Sequence, residues 1–257
     1  MLLEKINMVN KKLSVVIPTL QKNIELLTNL IKILDNDDSV SEIILIDNSC
    51  KGFSSECKKL RVIVPKENLY VNPSWNLGVK EAKEDIVALL NDDISIASNF
   101  CTKIVNQMTP DMGCIGYHVD YIEETHGKMP IPEDTEVRLE KTSIRCKYWG
   151  IAIFFYKTSY SQIPEELKIY CGDDWIFLQN KKNKRHNYHI CGQKIYHYGS
   201  LSSKTKSLNP IGDRDRKLYR KLTRKWWQYI FNFEFVFRGY HLTFCGLEGT
   251  HHYSKKH

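Results

Sequence analysis

Four short runs of Val, Ile and Leu constrain the fold of this chain more than any other feature of its sequence. They are KLSVVIPTL (12–20), SEIILIDNS (41–49), RVIVPK (61–66) and DIVALLNDD (85–93). Unbroken aliphatic runs of this length are typical of parallel strands that are buried on both faces. Helical patterns lie between them, at Ile24, Leu27, Ile31 and Leu34 and in NPSWNLGVKEAK (72–83). We therefore predict an α/β fold with a mostly parallel central sheet that is flanked by helices.

Polar residues end three of these predicted strands: Pro18-Thr19, Asp47 and Asn91-Asp92-Asp93. In parallel sheets, ligands bind in the crevice beyond the carboxyl ends of the strands, so these ends should converge on one crevice. The chain has no GxGxxG after its first strand and no GxxxxGK[ST] anywhere. These absences argue against a dinucleotide site of the Rossmann type and against a P-loop.

The adjacent carboxylates of Asp92 and Asp93 need compensation at the end of a buried strand. Burying two such charges costs several kcal/mol unless cations or hydrogen-bond donors satisfy them. A divalent cation such as Mg²⁺ or Mn²⁺ is one solution, and His197 could add a nitrogen ligand that favours Mn²⁺. The alternative is a strand-to-helix turn in which Asn91 and the aspartates act as caps.

The second half of the chain has a different pattern. Its predicted elements are a strand at 114–124, a loop at 125–140, a strand at 144–159, a helix at 170–184 and a strand at 193–203. Asp173 and Asp174 fall at the N-cap and first turn of that helix, where they could serve as caps or supply a general base. From 213 to 237 we predict one basic, amphipathic helix with an aromatic second half, whose apolar face comprises Leu218, Leu222, Trp226 and Ile230.

Charge is distributed unevenly along the 257 residues. The net charge is +7, but residues 204–257 contain 12 Lys and Arg against 4 Asp and Glu, whereas residues 1–203 carry a net −1. The basic segment could contact phosphate, nucleic acid or an anionic membrane surface, or could be a solvated face without a partner. The chain shows no secretory signal, no apolar stretch of transmembrane length and no CxxC pair among its eight cysteines, so we expect a cytoplasmic enzyme.

In order and spacing, several motifs resemble the nucleotide-sugar-dependent glycosyltransferases of family two, which have the GT-A fold. The motifs are LSVVIPTL, ILIDNS, NLYVNPSWNLGVKEAKEDIVALLNDDI, GDDWIF, IYHYGSLSS and DRKLYRKLTRKW, and together they extend over roughly residues 12–227. The resemblance implies a GT-A domain at 1–205, with a donor half (12–110) and an acceptor half (111–205). A basic, aromatic helical extension at 206–257 would pack on that domain.

For the donor, the resemblance implies roles for five residues of the first half. Pro18, Thr19 and Asp47 would line the nucleoside pocket, with Asp47 accepting a hydrogen bond from the base or ribose. Asn76 and Gly78 would shape the floor beneath the nucleotide-sugar.

For the metal and the chemistry, the resemblance implies roles for a second set of residues. Asn91-Asp92-Asp93 takes the place of the family's DxD motif. Asp93 would bind Mn²⁺ or Mg²⁺, with His197 completing the metal shell, and Asp92 would face the sugar or ribose. Asn91 departs from the strict pattern, although an amide oxygen can still ligate a metal. Asp174 would be the base that activates the acceptor.

The implied reaction is inverting transfer from a nucleoside-diphosphate sugar, expected to be a UDP-sugar, to a hydroxyl of a glycan or glycoconjugate. Two alternatives remain open at this point. One is a glycosyltransferase that modifies hydroxylated bases of viral or phage DNA in the host cytoplasm, with the basic segment on phosphate. The other is a non-catalytic sugar-nucleotide-binding module that docks on a membrane through residues 213–237.

Overall fold

The structure, a computed structural model, describes residues 11–125, 127, 129–142, 149–199, 209–224, 233–237 and 240–244. Its strands are β1 (Leu13–Thr19), β2 (Val40–Asp47), β3 (Leu60–Ile63), β4 (Ile86–Leu90), β5 (Ile94–Ser95), β6 (Ile115–Tyr117), β7 (Ile122–Glu124), β8 (Arg138–Lys141), β9 (Trp149–Tyr156), β10 (Tyr188–Cys191), β11 (Ile195–His197), β12 (Phe233–Phe237) and β13 (Tyr240–Phe244). Its α-helices are α1 (Ile24–Asp35), α2 (Val71–Glu81), α3 (Phe100–Val105), α4 (Gly172–Lys182) and α5 (Asn209–Thr223).

A central sheet of eight strands organises the fold, in the order β3-β2-β1-β4-β9-β6-β10-β8. Strands β1 to β4, β6 and β10 share one direction, whereas β9 and β8 run against their neighbours. The predicted α/β fold with a mostly parallel sheet is therefore confirmed. A second sheet has the order β5-β11-β7, and β12 pairs with β13.

Helices cover both faces of the central sheet because its strands are apolar on both. The α1 and α3 side chains pack with Val15 and Ile17 of β1 on one face. The other face contains Val16 of β1, together with side chains of α2, α4 and α5. Asn23 caps α1 by accepting a hydrogen bond from the Leu26 N–H, as expected of an asparagine at a helix start. No helix in the described ranges is long and apolar enough to cross a membrane.

The single strand predicted at 114–124 is wrong. Strand β6 ends at Tyr117, and a 3₁₀ turn at Val119–Tyr121 follows because the His118 side chain accepts a hydrogen bond from the Asp120 N–H. The chain then leaves the central sheet and forms β7 beside β11. The alternating pattern was correct for each short strand but did not show the turn between them.

The continuous helix predicted at 213–237 is also wrong. Helix α5 ends at Thr223, and the alternating aromatic sequence FEFVF forms strand β12. The buried stripe of α5 consists of Gly212, Asp215, Tyr219 and Thr223, whereas Leu222 is exposed. The rest of the predicted apolar face, Trp226 and Ile230, lies outside the described residues.

Candidate active site

A cavity of about 290 Å³ lies at the carboxyl ends of β1 and β4. Seven of the residues that the sequence singled out line it: Pro18, Thr19, Asn91, Asp92, Asp93, Asp173 and His197. Strand β2 contributes Asn48, the residue that follows Asp47. The expected convergence of polar strand ends is therefore what the structure shows, at the edge of the sheet where α/β proteins bind ligands.

Asp92 is tied to the end of the first strand. Its Oδ2 accepts a hydrogen bond of 2.6 Å from the Thr19 hydroxyl, whose oxygen in turn accepts one from the Gln21 N–H. Burial raises the pKa of Asp92 to about 6, with a further contribution from the charge of Asp93, although the Thr19 hydrogen bond opposes the shift. The ionised form of this carboxylate is therefore disfavoured by its burial. Carboxylates with a pKa perturbed in this way are common at functional sites.

Asp93 and His197 meet because β11 pairs with the short strand that follows the aspartates. His197 lies opposite Ile94 in that antiparallel pairing, and the Tyr198 N–H donates to the Asp93 carbonyl at 2.9 Å. The His197 Nε2 consequently lies 3.2 Å from the Asp93 Oδ1. Burial lowers the pKa of His197, but the hydrogen bond and charge of Asp93 outweigh it, so the net shift is upward.

The donor set of this pair fits a divalent cation. Apart from the His197 contact, the buried Oδ1 of Asp93 has no hydrogen-bond partner among the described residues. Neighbouring ligands of an octahedral Mg²⁺ at roughly 2.1 Å lie about 3 Å apart, which is close to the 3.2 Å separation of Oδ1 and Nε2. Within the described ranges no group of three or more His, Cys, Asp or Glu could hold a metal ion. Two protein ligands would leave positions for water and phosphate oxygens.

The carboxylate of Asp47, predicted to contact the nucleoside, holds its own turn. Its Oδ1 accepts from the N–H and hydroxyl of Ser49, and its Oδ2 accepts from the Gly52 N–H. Burial raises the pKa of Asp47, but these hydrogen bonds and one from Gln21 lower it by a larger amount. The net shift of the Asp47 pKa is therefore downward. The carboxylate shapes the loop after β2 and is absent from the cavity lining.

Asn76 and Gly78, predicted to form the donor floor, lie away from this cavity. The Asn76 side chain donates to the Ile163 carbonyl and accepts from the Tyr160 hydroxyl, so it anchors α2 to the loop after β9. A Cβ on Gly78 would lie 2.1 Å from Cγ1 of Val16, which shows that the glycine lets α2 pack closely on β1. Both positions have packing contacts in the structure, and their role at the donor floor stays a prediction.

Helix α4 places one of its two adjacent aspartates, Asp173, in the cavity lining. Its N-cap is Cys171, with φ 63°, so the aspartates lie in the first turn and neither is the N-cap. Asp173 lines the cavity, and a Cβ on Gly150 of β9 would meet its Oδ2 at 2.8 Å. Burial raises the pKa of Asp173, against hydrogen bonds from nearby backbone N–H groups. Asp174, the predicted base, is not among the lining residues.

Several lining residues were missed from the sequence. Trp75 is 4% exposed, and its indole Nε1–H has no hydrogen-bond partner among the described residues. Asn68 and Tyr70 precede α2 in the asparagine-rich turn. Tyr70 has φ 69° and ψ −176°, a region that is strained for residues other than glycine and that is common at functional sites. The turn itself was a usable signal, whereas a Trp on a helix face is ordinarily interpreted as core.

The mixed sheet flanked by helices, with polar residues at its carboxyl edge, is a fold of the GT-A type. The model of the family described as "Glycosyl transferase family 2" matches residues 14–181. The chain belongs to that family, whose members transfer glycosyl groups.

Two solved structures share the fold. The crystal structure of S. aureus TarS superposes with a TM-score of 0.51 and 16% identity, over 79% of this chain and 39% of that one. The crystal structure of S. aureus TarS 1–349 gives 0.50 and 14%, over 74% of this chain and 61% of that one. The chain therefore spans less than two thirds of either relative. No curated protein matches it significantly.

Proposed function

We propose that the chain is an inverting, metal-dependent glycosyltransferase that uses a nucleoside-diphosphate sugar, a UDP-sugar in the first instance. The acceptor would be a hydroxyl of a glycan or glycoconjugate. One observation carries the proposal: Asp92, the Asp93–His197 pair and Asp173 line one cavity at the carboxyl edge of the sheet. Three carboxylates in different environments of one cavity can serve different roles: one can bind a cation, one can orient the donor and one can accept a proton.

Asp93 and His197 would hold the cation, with the Asn91 amide oxygen close enough in sequence to add a ligand or hold a water. When bound, the cation neutralises charge on the leaving diphosphate as a Lewis acid. The chain's own groups do the rest at the donor. Thr19 keeps the Asp92 carboxylate in place, and the indole N–H of Trp75 supplies a donor for an oxygen of the nucleotide.

We assign the general base to Asp173 in place of Asp174. The Asp173 carboxylate lines the cavity, and burial raises its pKa towards the range in which a base works best near neutral pH. A carboxylate so placed can accept the acceptor's hydroxyl proton while that oxygen attacks the anomeric carbon. Attack opposite the leaving diphosphate in a single displacement inverts the anomeric configuration.

A direct test is to assay hydrolysis and transfer with a panel of UDP-, GDP- and TDP-sugars in the presence of Mn²⁺ or Mg²⁺. The anomeric configuration of the product is then determined by NMR. We expect one donor to be consumed only with a divalent cation, and Asp93→Ala to abolish cation-dependent donor binding. Full activity of Asp93→Ala, or full activity in EDTA, would refute the metal role. An absence of turnover with every donor would refute the enzyme assignment.

The two alternatives lose part of their basis. The membrane alternative relied on a continuous basic and aromatic helix at 213–237, whereas helix α5 ends at Thr223. The DNA alternative relied on the basic charge of the same segment. The inner face of α5 packs against the domain through Asp215 and Tyr219, so it is not a free amphipathic surface. We therefore propose a glycan or glycoconjugate acceptor and make DNA with hydroxymethylated bases an arm of the acceptor screen.

A further inference from the structure

Helix α5 inserts a carboxylate beneath the wall of the cavity. Asp215 is fully buried, and its Oδ2 accepts three successive backbone N–H groups, from Lys168 at 3.1 Å, Ile169 at 2.7 Å and Tyr170 at 3.0 Å. Successive N–H groups that converge on one oxygen form an anion-binding concavity. Here the anion is supplied by a residue 45 positions further along the chain.

The same short segment is held from its other side by α2. The Asn72 N–H donates to the Lys168 carbonyl at 3.0 Å, and the Asn72 side-chain amide donates to the Tyr170 carbonyl at 3.1 Å. Asn72, like Asp215, is completely buried. Residues 168–170 therefore have their N–H groups fixed by α5 and two of their carbonyls fixed by α2.

This segment forms part of the cavity. Ile169, Tyr170 and Cys171 are lining residues, and Cys171 is the N-cap of the helix that carries Asp173. The Tyr170 ring is also held by α5. The Arg216 guanidinium lies 4.9 Å from the ring centroid, and a Cβ on Gly212 would meet the ring at 2.7 Å. A shift of α5 would therefore move the aromatic wall and the start of α4 together.

We propose that Asp215 is a positioning residue for glycosyl transfer. It fixes the wall segment 168–171, and through Cys171 it fixes the orientation of Asp173 towards the acceptor, without touching a substrate itself. This inference rests on the proposed function for its consequence in catalysis. Its geometric part, the fixing of the wall by α5, is independent of which reaction the cavity performs.

The geometric part is tested by amide hydrogen exchange on the full chain, with Asp215→Ala, Asp215→Asn and a control, Thr223→Ala. Thr223 is buried on the same helix and donates to the Tyr219 carbonyl, and among the described residues it has no hydrogen bond to segment 168–171. We expect amides 168–170 to exchange at least about 10-fold faster in Asp215→Ala, since their shared acceptor is gone. Asp215→Asn keeps one acceptor oxygen and should give a smaller acceleration, and Thr223→Ala none.

The catalytic part is tested by kinetics at a temperature where each variant is folded, as shown by its thermal transition. For Asp215→Ala we expect kcat to fall by about 100-fold, the loss that a misplacement of roughly 1 Å can cause. The Kd for UDP should stay within about 2-fold, because the Thr19 side of the cavity is unchanged. Asp215→Asn should retain most of kcat, and Thr223→Ala all of it.

The outcomes separate the two proposals. Unchanged exchange of amides 168–170 in both Asp215 variants would overturn the inference, as would a wild-type kcat in Asp215→Ala. If Asp215→Ala does not fold, the exchange of amides 168–170 in Asp215→Asn decides: acceleration supports the inference, and unchanged exchange overturns it. If the wild-type chain transfers no sugar, the proposed function fails, and the exchange data still accept or reject the fixing of the wall by Asp215.

Discussion

Gly78→Ala distinguishes a packing glycine from a substrate-contacting one. The added Cβ would lie 2.1 Å from Cγ1 and 2.8 Å from Cγ2 of Val16, a side chain in the middle of β1 that is 0% exposed. Overpacking a core costs roughly 1–3 kcal/mol, and alanine regains about 1 kcal/mol over glycine inside a helix. Contacts this short place the site at the upper end, so we expect a net loss of about 2 kcal/mol.

Urea denaturation of Gly78→Ala, Val16→Ala and the double variant measures this loss and its origin. Val16→Ala alone should cost about 2 kcal/mol by leaving a cavity. In the double variant the new methyl occupies part of that cavity, so the two losses should sum to about 1–2 kcal/mol more than the measured value. The Kd for UDP should be unchanged in all three. A Gly78→Ala protein of wild-type stability with weakened UDP binding would refute the packing explanation and support the predicted role of Gly78 at the donor floor.

Three further predictions concern the cavity and the far end of the sheet. Asp173→Asn should lower kcat by roughly 10²–10⁴-fold, the usual effect of removing a positioned base, whereas Asp174→Asn should retain most of kcat. The reverse result in steady-state assays would show that Asp174 is the base. Trp75→Phe should weaken UDP binding by about 5–10-fold in calorimetry, because one hydrogen bond contributes roughly 0.5–1.5 kcal/mol, and an unchanged Kd would exclude the indole N–H as a donor. Burial lowers the pKa of His189 from 6.5 to about 4. As the pH falls, the His189 imidazole is therefore protonated in the unfolded chain before it is protonated in the folded one. The free energy of unfolding should decrease by about 2–3 kcal/mol between pH 6.5 and pH 4. His189→Gln should flatten that part of the pH profile in urea titrations, and an unaltered profile would show that His189 is not its source.

The sheet could be predicted because its information is local. Each buried strand of the first half is a run of aliphatic residues, and its polar end marks the edge at which ligands bind. The same rule located Thr19 and Asp92 in the cavity, since both follow directly from where a strand ends. Asp47 follows from the rule as well, but its carboxylate is used by Ser49 and Gly52, and the sequence contained no sign of that competition.

The rest depended on pairings between distant segments. His197 reaches Asp93 only because β11 pairs with a two-residue strand about one hundred positions earlier. The choice between Asp173 and Asp174 depends on a helix whose N-cap is Cys171, two residues earlier than a polar N-cap at Asp173 would have placed it. Such a start requires a left-handed backbone at a non-glycine residue, which residue preferences do not predict.

Helix α5 shows most clearly where a rule of apolar residues inside fails. The rule selected Leu218 and Leu222, but the fully buried stripe contains Asp215 and Tyr219 in their place. The carboxylate is stable there because three backbone N–H groups of one segment donate to a single oxygen. At this position of α5, a carboxylate can accept these N–H hydrogen bonds, whereas a leucine side chain could not. The other basic residues of α5 face solvent, whereas Arg216 lies against the Tyr170 ring of the cavity wall. Most of the charge of α5 and its buried contact with the wall therefore lie on different faces of the helix.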